Sequence, residues 1–142
     1  VIDEKSSRQL DAGRIIHSFG RSRPRREIYL RLCEAYPGGM SLDEISIAAG
    51  YGKETIVGAL IGNEGRYKPE DALITIGLAT MCEEEHRGQK VTIFTATSNG
   101  QDVEDLLKDY AHNVGLLEKL KGYVHKLESK MWREGSKWKR QL

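Results

Sequence analysis

The chain has 142 residues, of which 39% are hydrophobic and 30% charged, with a formal net charge of +1. That length suits one domain with an ordinary core, and the composition excludes a disordered or membranous chain. No apolar run approaches the roughly 18 residues of a spanning helix, and no signal-peptide core follows Val1. Cys33 and Cys82 are too few for a disulfide framework and lack zinc-finger spacing, so a cytoplasmic protein with reduced, buried thiols and no membrane partner is expected.

The distribution of charge says more than its sum. Arg14, Arg21, Arg23, Arg25, Arg26 and Arg31 cluster early, and Lys119, Lys121, Lys126, Lys130, Arg133, Lys137, Lys139 and Arg140 close the chain. Acid lies between them, at Glu83, Glu84, Glu85, Asp102, Glu104, Asp105 and Asp109. Taken singly, each of these charges reads as part of a solvated face.

In chain order, Asp3 to Phe19 has the apolar stripe Leu10, Ile15, Ile16, Phe19 of a first helix, within an N-terminal helical arm of residues 1–21. Ser22 can cap a second helix, with Pro24 in its first turn and Ile28, Leu32 and Ala35 on one side. Ser41 with Glu44 three residues on is a capping box, Leu42, Ile45 and Ala49 form a stripe, and Gly50 supplies a left-handed helix end. After the Tyr51-Gly52 turn, a further helix from Lys53 to Ile61 buries Ile56, Ala59 and Leu60. Pro69, followed by Glu70 and Asp71, predicts another helix running to Gly77. Leu78 to Glu84 and Val91 to Thr97 read as two strands of a hairpin tipped by Arg87-Gly88-Gln89.

The last segment carries a heptad seam. Val103, Tyr110, Leu117, Val124 and Met131 recur at sevens, with Leu106, Asn113, Leu120 and Leu127 in the companion position. Such a seam is the mark of a coiled coil, and its one polar member, Asn113, can set register. Residues 101–142 are therefore expected to form a dimerisation helix with a basic tail.

A helix pair joined by a tight turn can present its second helix to the major groove, about 12 Å wide, while the first braces it. Lys53, Glu54, Thr55, Val57 and Gly58 face outward on that second helix, and Ser41 opens the first. Gly58 admits close approach either to DNA or to a packed neighbour, packing being favoured. Arg66 and Lys68 follow the helix, and Arg87, Gln89 and Lys90 suit phosphates or a minor groove from the hairpin tip. Glu83, Glu84 and Glu85 repel phosphate unless they point away.

Ser22 to Leu107 resembles the winged helix-turn-helix transcriptional regulators of prokaryotes, most nearly the archaeal ones. The motifs that carry the likeness are Pro24-Arg-Arg-Glu-Ile-Tyr-Leu-Arg-Leu-Cys33, Ser41-Leu-Asp-Glu-Ile-Ser-Ile-Ala-Ala-Gly50 with the helix after it, and Thr97-Ser-Asn-Gly100 after the hairpin. The resemblance implies a mainly α (α+β) fold with a two-stranded wing over residues 22–100, and homodimers on palindromic double-stranded DNA. A protein-interaction module or a non-specific architectural DNA binder is the alternative. No phosphate loop, HExxH or nucleophile elbow is present, and the four histidines are scattered, so no enzyme activity, metal or cofactor is expected.

Overall fold

The computed structural model describes the backbone of residues 10–141, and side chains as far as Gly122 and at Lys126. Five α-helices and a three-stranded antiparallel sheet make up these residues. The chain divides into two units at residues 106 and 107.

Helix α1 spans Ala12–Arg21, with Asp11 accepting from the Arg14 amide as its cap. The expected first helix therefore starts later than Asp3, and residues 3–9 lie outside the described residues. Ser22 caps α2 (Arg23–Ala35) through the Arg25 amide, with Pro24 in the first turn, where its missing N–H costs nothing. Ile28, Leu32 and Tyr29 bury the inner side of α2.

Strand β1 is only Met40–Ser41, and no sequence pattern announced it. It pairs with β3 through Met40↔Phe94 and Ser41↔Ile93. Ser41 then caps α3 (Leu42–Ala49): its hydroxyl accepts from the Glu44 amide, and the Glu44 carboxylate accepts from the Ser41 amide. Gly50 closes that helix at φ 79°, the left-handed region that favours glycine. After two more residues α4 runs from Lys53 to Leu60, with Ile56, Ala59 and Leu60 fully buried.

The helix expected after Pro69 is reduced to a single 3-10 turn, Pro69–Asp71. The reason lies in α4, whose last carbonyls lack partners within the helix. The amides of Leu73 and Ile74 instead donate to the carbonyls of Ala59 and Leu60, at 3.0 and 3.1 Å. That pairing takes the amides that a continuing helix would have used, and buries Ala72, Leu73 and Ile76.

Strands β2 (Ala79–His86) and β3 (Gln89–Ala96) form a hairpin whose register runs from Ala79↔Ala96 to His86↔Gln89. The sheet order is β1-β3-β2. Ile93 and Phe94 of β3 are buried, as are Ile45 and Leu78. The last helix, α5, runs from Gln101 to Gln141. Among the described residues no helix is long and apolar enough to cross a membrane.

Losing the Ser41 hydroxyl removes one half of the capping box at the start of α3. Ser41→Ala is expected to lower unfolding stability by about 1 kcal/mol, read from chemical denaturation with an unchanged m-value.

Candidate nucleic-acid interface

Helices α3 and α4 are joined by a turn that side chains hold on both sides. The Ser46 hydroxyl donates to the Tyr51 carbonyl at 2.7 Å. The Tyr51 hydroxyl donates to Glu27 at 2.8 Å, and Glu27 takes Arg23 at 2.6 Å. These bonds tie the turn to the start of α2. The Arg23 and Tyr51 hydrogen bonds hold the Glu27 carboxyl below its ordinary range, and the same bond to Glu27 pushes the Tyr51 phenol up.

The open side of α4 presents Lys53, Glu54 and Val57, which with Gly58 and Asn63 line a shallow cavity of about 420 Å³. Lys53 pairs with Asp43 of α3 at 2.8 Å, with both side chains well exposed. Thr55 and Val57 are half-buried and Glu54 is exposed, so this face is close to electrically neutral.

Gly58 lines that cavity but is not itself exposed. It is buried, and a Cβ there would stand 2.5 Å from Cδ2 and 2.8 Å from Cγ of Tyr67. Its place among the DNA-facing residues is therefore corrected: the absent side chain makes room for the Tyr67 ring. Asn63 holds the loop between them, its side-chain oxygen accepting from the amides of Gly65 and Tyr67 at 2.9 and 3.0 Å. Arg25 and Arg66 lie over the Tyr67 ring, at 5.7 and 5.8 Å from its centroid. Sequence reasoning missed Tyr67 and treated Arg25 as solvated, yet Arg25 is 3% exposed. An arginine in the first turn of a helix carries no mark of burial. The only available signal was an aromatic residue in a loop beside a helical glycine.

At the hairpin tip Arg87 adopts φ 54° and Gly88 φ 79°, the two positive values of a type I′ turn. Arg87, Gln89 and Lys90 are all exposed there. The acidic run divides between the two faces of β2, because successive strand side chains alternate. Glu84 pairs with His86 at 3.0 Å on one face, while on the other Glu85 stands opposite Lys90 and Glu83 opposite Thr92. Arg66 and Lys68 are exposed beyond α4, and Ser41 is half-buried and occupied by its cap.

The seam residues separate. Val103 is 3% exposed within the first unit, so it belongs to a core and not to a surface seam. Its expected dimerisation role is corrected accordingly. Leu106 is half-buried, Asn113 is exposed, and Tyr110, Leu117 and Leu120 are 41–54% exposed on α5. Val124, Leu127 and Met131, with the closing basic cluster beyond Lys126, lie outside the described side chains. Cys33 is half-buried and its thiol is pushed up by burial, whereas Cys82, expected to be buried, is exposed on β2. Among the described residues no three His, Cys, Asp or Glu side chains gather as metal ligands.

This mixed α+β arrangement, with its short helix pair, three-stranded sheet and long final helix, defines the class of protein. The chain belongs to the EarA-like family, whose model matches residues 15–107, a span from within α1 to the start of α5. It is 36% identical over 95 residues to a protein of the archaeon Methanocaldococcus jannaschii described as uncharacterised, covering 67% of this chain and 82% of that one. No solved structure matches the chain.

Two outcomes follow from this geometry. Gly58→Ala forces the Tyr67 ring aside near its root, where it cannot swing away, and is expected to cost about 1–3 kcal/mol in denaturation experiments. The depressed Glu27 carboxyl contributes stability that is present above its unfolded pKa and lost as pH falls through its folded one. Thermal melts from neutral to acid pH should therefore show a decline below the ordinary carboxylate range that is smaller in Glu27→Gln.

Proposed function

We propose that this protein is a winged helix-turn-helix transcriptional regulator that reads double-stranded DNA as a homodimer. In that reading α3 braces and α4 enters the major groove, with Lys53, Glu54, Thr55 and Val57 nearest the bases. The β2–β3 hairpin is the wing, with Arg87, Gln89 and Lys90 on the backbone or in the minor groove. Arg66 and Lys68 add phosphate contacts. The exposed apolar positions Tyr110, Leu117 and Leu120 of α5 support pairing of two copies, which raises affinity by avidity.

The observation that carries the reading is Arg87. A left-handed backbone is costly for an arginine, and a type I′ turn favours Asn or Gly at this place. A side chain held on a strained backbone at a turn apex points to a use for that side chain. An exposed guanidinium at the apex of a two-strand hairpin suits a phosphate backbone. The Lys53–Asp43 pair is no obstacle, because exposed pairs are worth only about 0–1 kcal/mol and Asp43 yields readily to a phosphate.

A protein-docking module is the second reading, favoured by Glu83 and Glu85 on one wing face and by Ile47, 86% exposed on α3. The two readings differ in their response to salt. Selection of bound genomic fragments, followed by titration at rising salt, is expected to yield a palindromic consensus whose affinity falls steeply. Arg87→Asn should weaken that binding by about tenfold while stability stays level or rises. Equal duplex affinity in Arg87→Asn and wild type would remove the wing from the interface, and no duplex binding at low salt would favour protein docking.

A further inference from the structure

A second cationic feature lies where α1 passes into α2. Arg21, Ser22, Arg23, Pro24 and Arg25 form one wall of a cleft of about 370 Å³, and Arg66, Tyr67, Lys68 and Asp71 form the other. Five cationic side chains thus face a single carboxylate. That carboxylate, Asp71, has His17 at 3.7 Å. Arg23 is paired with Glu27, while Arg21, Arg66 and Lys68 enter no ion pair among the described residues. The cleft also receives the first turn of a 13-residue helix, the positive end of its dipole.

Arg25 sets this cleft apart from a solvated basic patch. It is 3% exposed, and its guanidinium makes one hydrogen bond, from Nη1 to the Ser18 carbonyl at 3.3 Å. Its Nε is buried with no hydrogen-bond partner among the described residues. Among the described residues no carboxylate pairs with it, and its guanidinium's polar contacts are that carbonyl and the Tyr67 ring. Burying a charge without a counterion is costly, and a bound anion would relieve that cost.

We propose that this cleft binds a phosphate group, with Arg25 as its floor and Arg66, Lys68 and Arg21 as its rim. Guanidinium forks match phosphate oxygens, and the excess of positive charge favours a group carrying two negative charges over a single carboxylate. The apolar lining is limited to Pro24 and Tyr67, and two guanidiniums already lie over that ring, so recognition rests on the anion itself. The volume admits a diphosphate. The phosphate has two sources, a free phosphorylated small molecule or the backbone of a DNA duplex, and capture of the first does not depend on the regulator reading above.

Calorimetric titration of the full chain with inorganic pyrophosphate tests the site without any DNA present. Saturable binding of about one pyrophosphate per chain is expected. Arg66→Ala combined with Lys68→Ala, with circular dichroism reporting that the fold is kept, should weaken it at least about tenfold. Arg25→Lys, which keeps the charge but loses the fork, should weaken it as well, with circular dichroism reporting that the fold is kept. Lys119→Ala on α5 serves as the control and should leave it unchanged. Absence of saturable heat, or equal affinity in wild type and the double variant, overturns the proposal. Competition then separates the sources: displacement of pyrophosphate by a duplex assigns the cleft to backbone phosphate, and independent binding of both assigns it to a free ligand. Either result keeps the site, and failure of duplex binding alone leaves the pyrophosphate result intact.

Discussion

The ring of Tyr67 is the contact on which the first unit depends. It lies in the space left by the missing side chain of Gly58, under the guanidiniums of Arg25 and Arg66. One face of this arrangement fixes α4, the other fixes the loop that leaves it. Asn63 completes the lock by holding the Tyr67 amide, while its own amide donates to the Tyr67 carbonyl at 2.7 Å. The outward surface of α4 and the cationic cleft beside α2 are consequently two sides of one packed aromatic residue. A cation over an aromatic face gains about 0.5–2 kcal/mol as it is desolvated, which offsets part of the cost of burying Arg25.

A chain with almost no net charge can still present local fields. The balance of +1 conceals a cationic cleft, a nearly neutral α4 face and an acidic β2 strand. Strand alternation matters here. The three consecutive glutamates look like one repulsive block in sequence, but they fall on two faces, and two of them have positively charged or titratable neighbours, Lys90 and His86. The exposed tip of the hairpin is left to Arg87, Gln89 and Lys90.

The long final helix changes its environment along its length. Val103 is part of a core, Leu106 is half-buried, and from Tyr110 to Leu120 the large apolar positions are exposed, including Val114 and Leu116 outside the heptad seam. Exposed apolar side chains at helical spacing are the pattern of a surface that pairs with another. The exposed part of the heptad pattern therefore begins later than its sequence period implies. A periodic pattern reports which residues are apolar, while the first of them can be claimed by the domain from which the helix emerges.

Local chemistry was legible wherever the chain's own neighbours decide the outcome. Ser22 and Ser41 announced two helix starts, Gly50 a helix end, and Arg87-Gly88 a hairpin tip, because caps and turns are set within a few residues. The turn joining α3 and α4 and the pair of long strands were legible for the same reason. What only tertiary structure decided involves partners distant in sequence. Two-residue β1 exists because β3 offers it a ladder, and the segment after Pro69 is not a helix because α4 takes its amides. Arg25 is buried, and Gly58 faces inward, because Tyr67 arrives from a loop that no local pattern places. Hydrogen bonds and caps act over one turn of chain, whereas burial is decided by whichever surface comes to lie opposite.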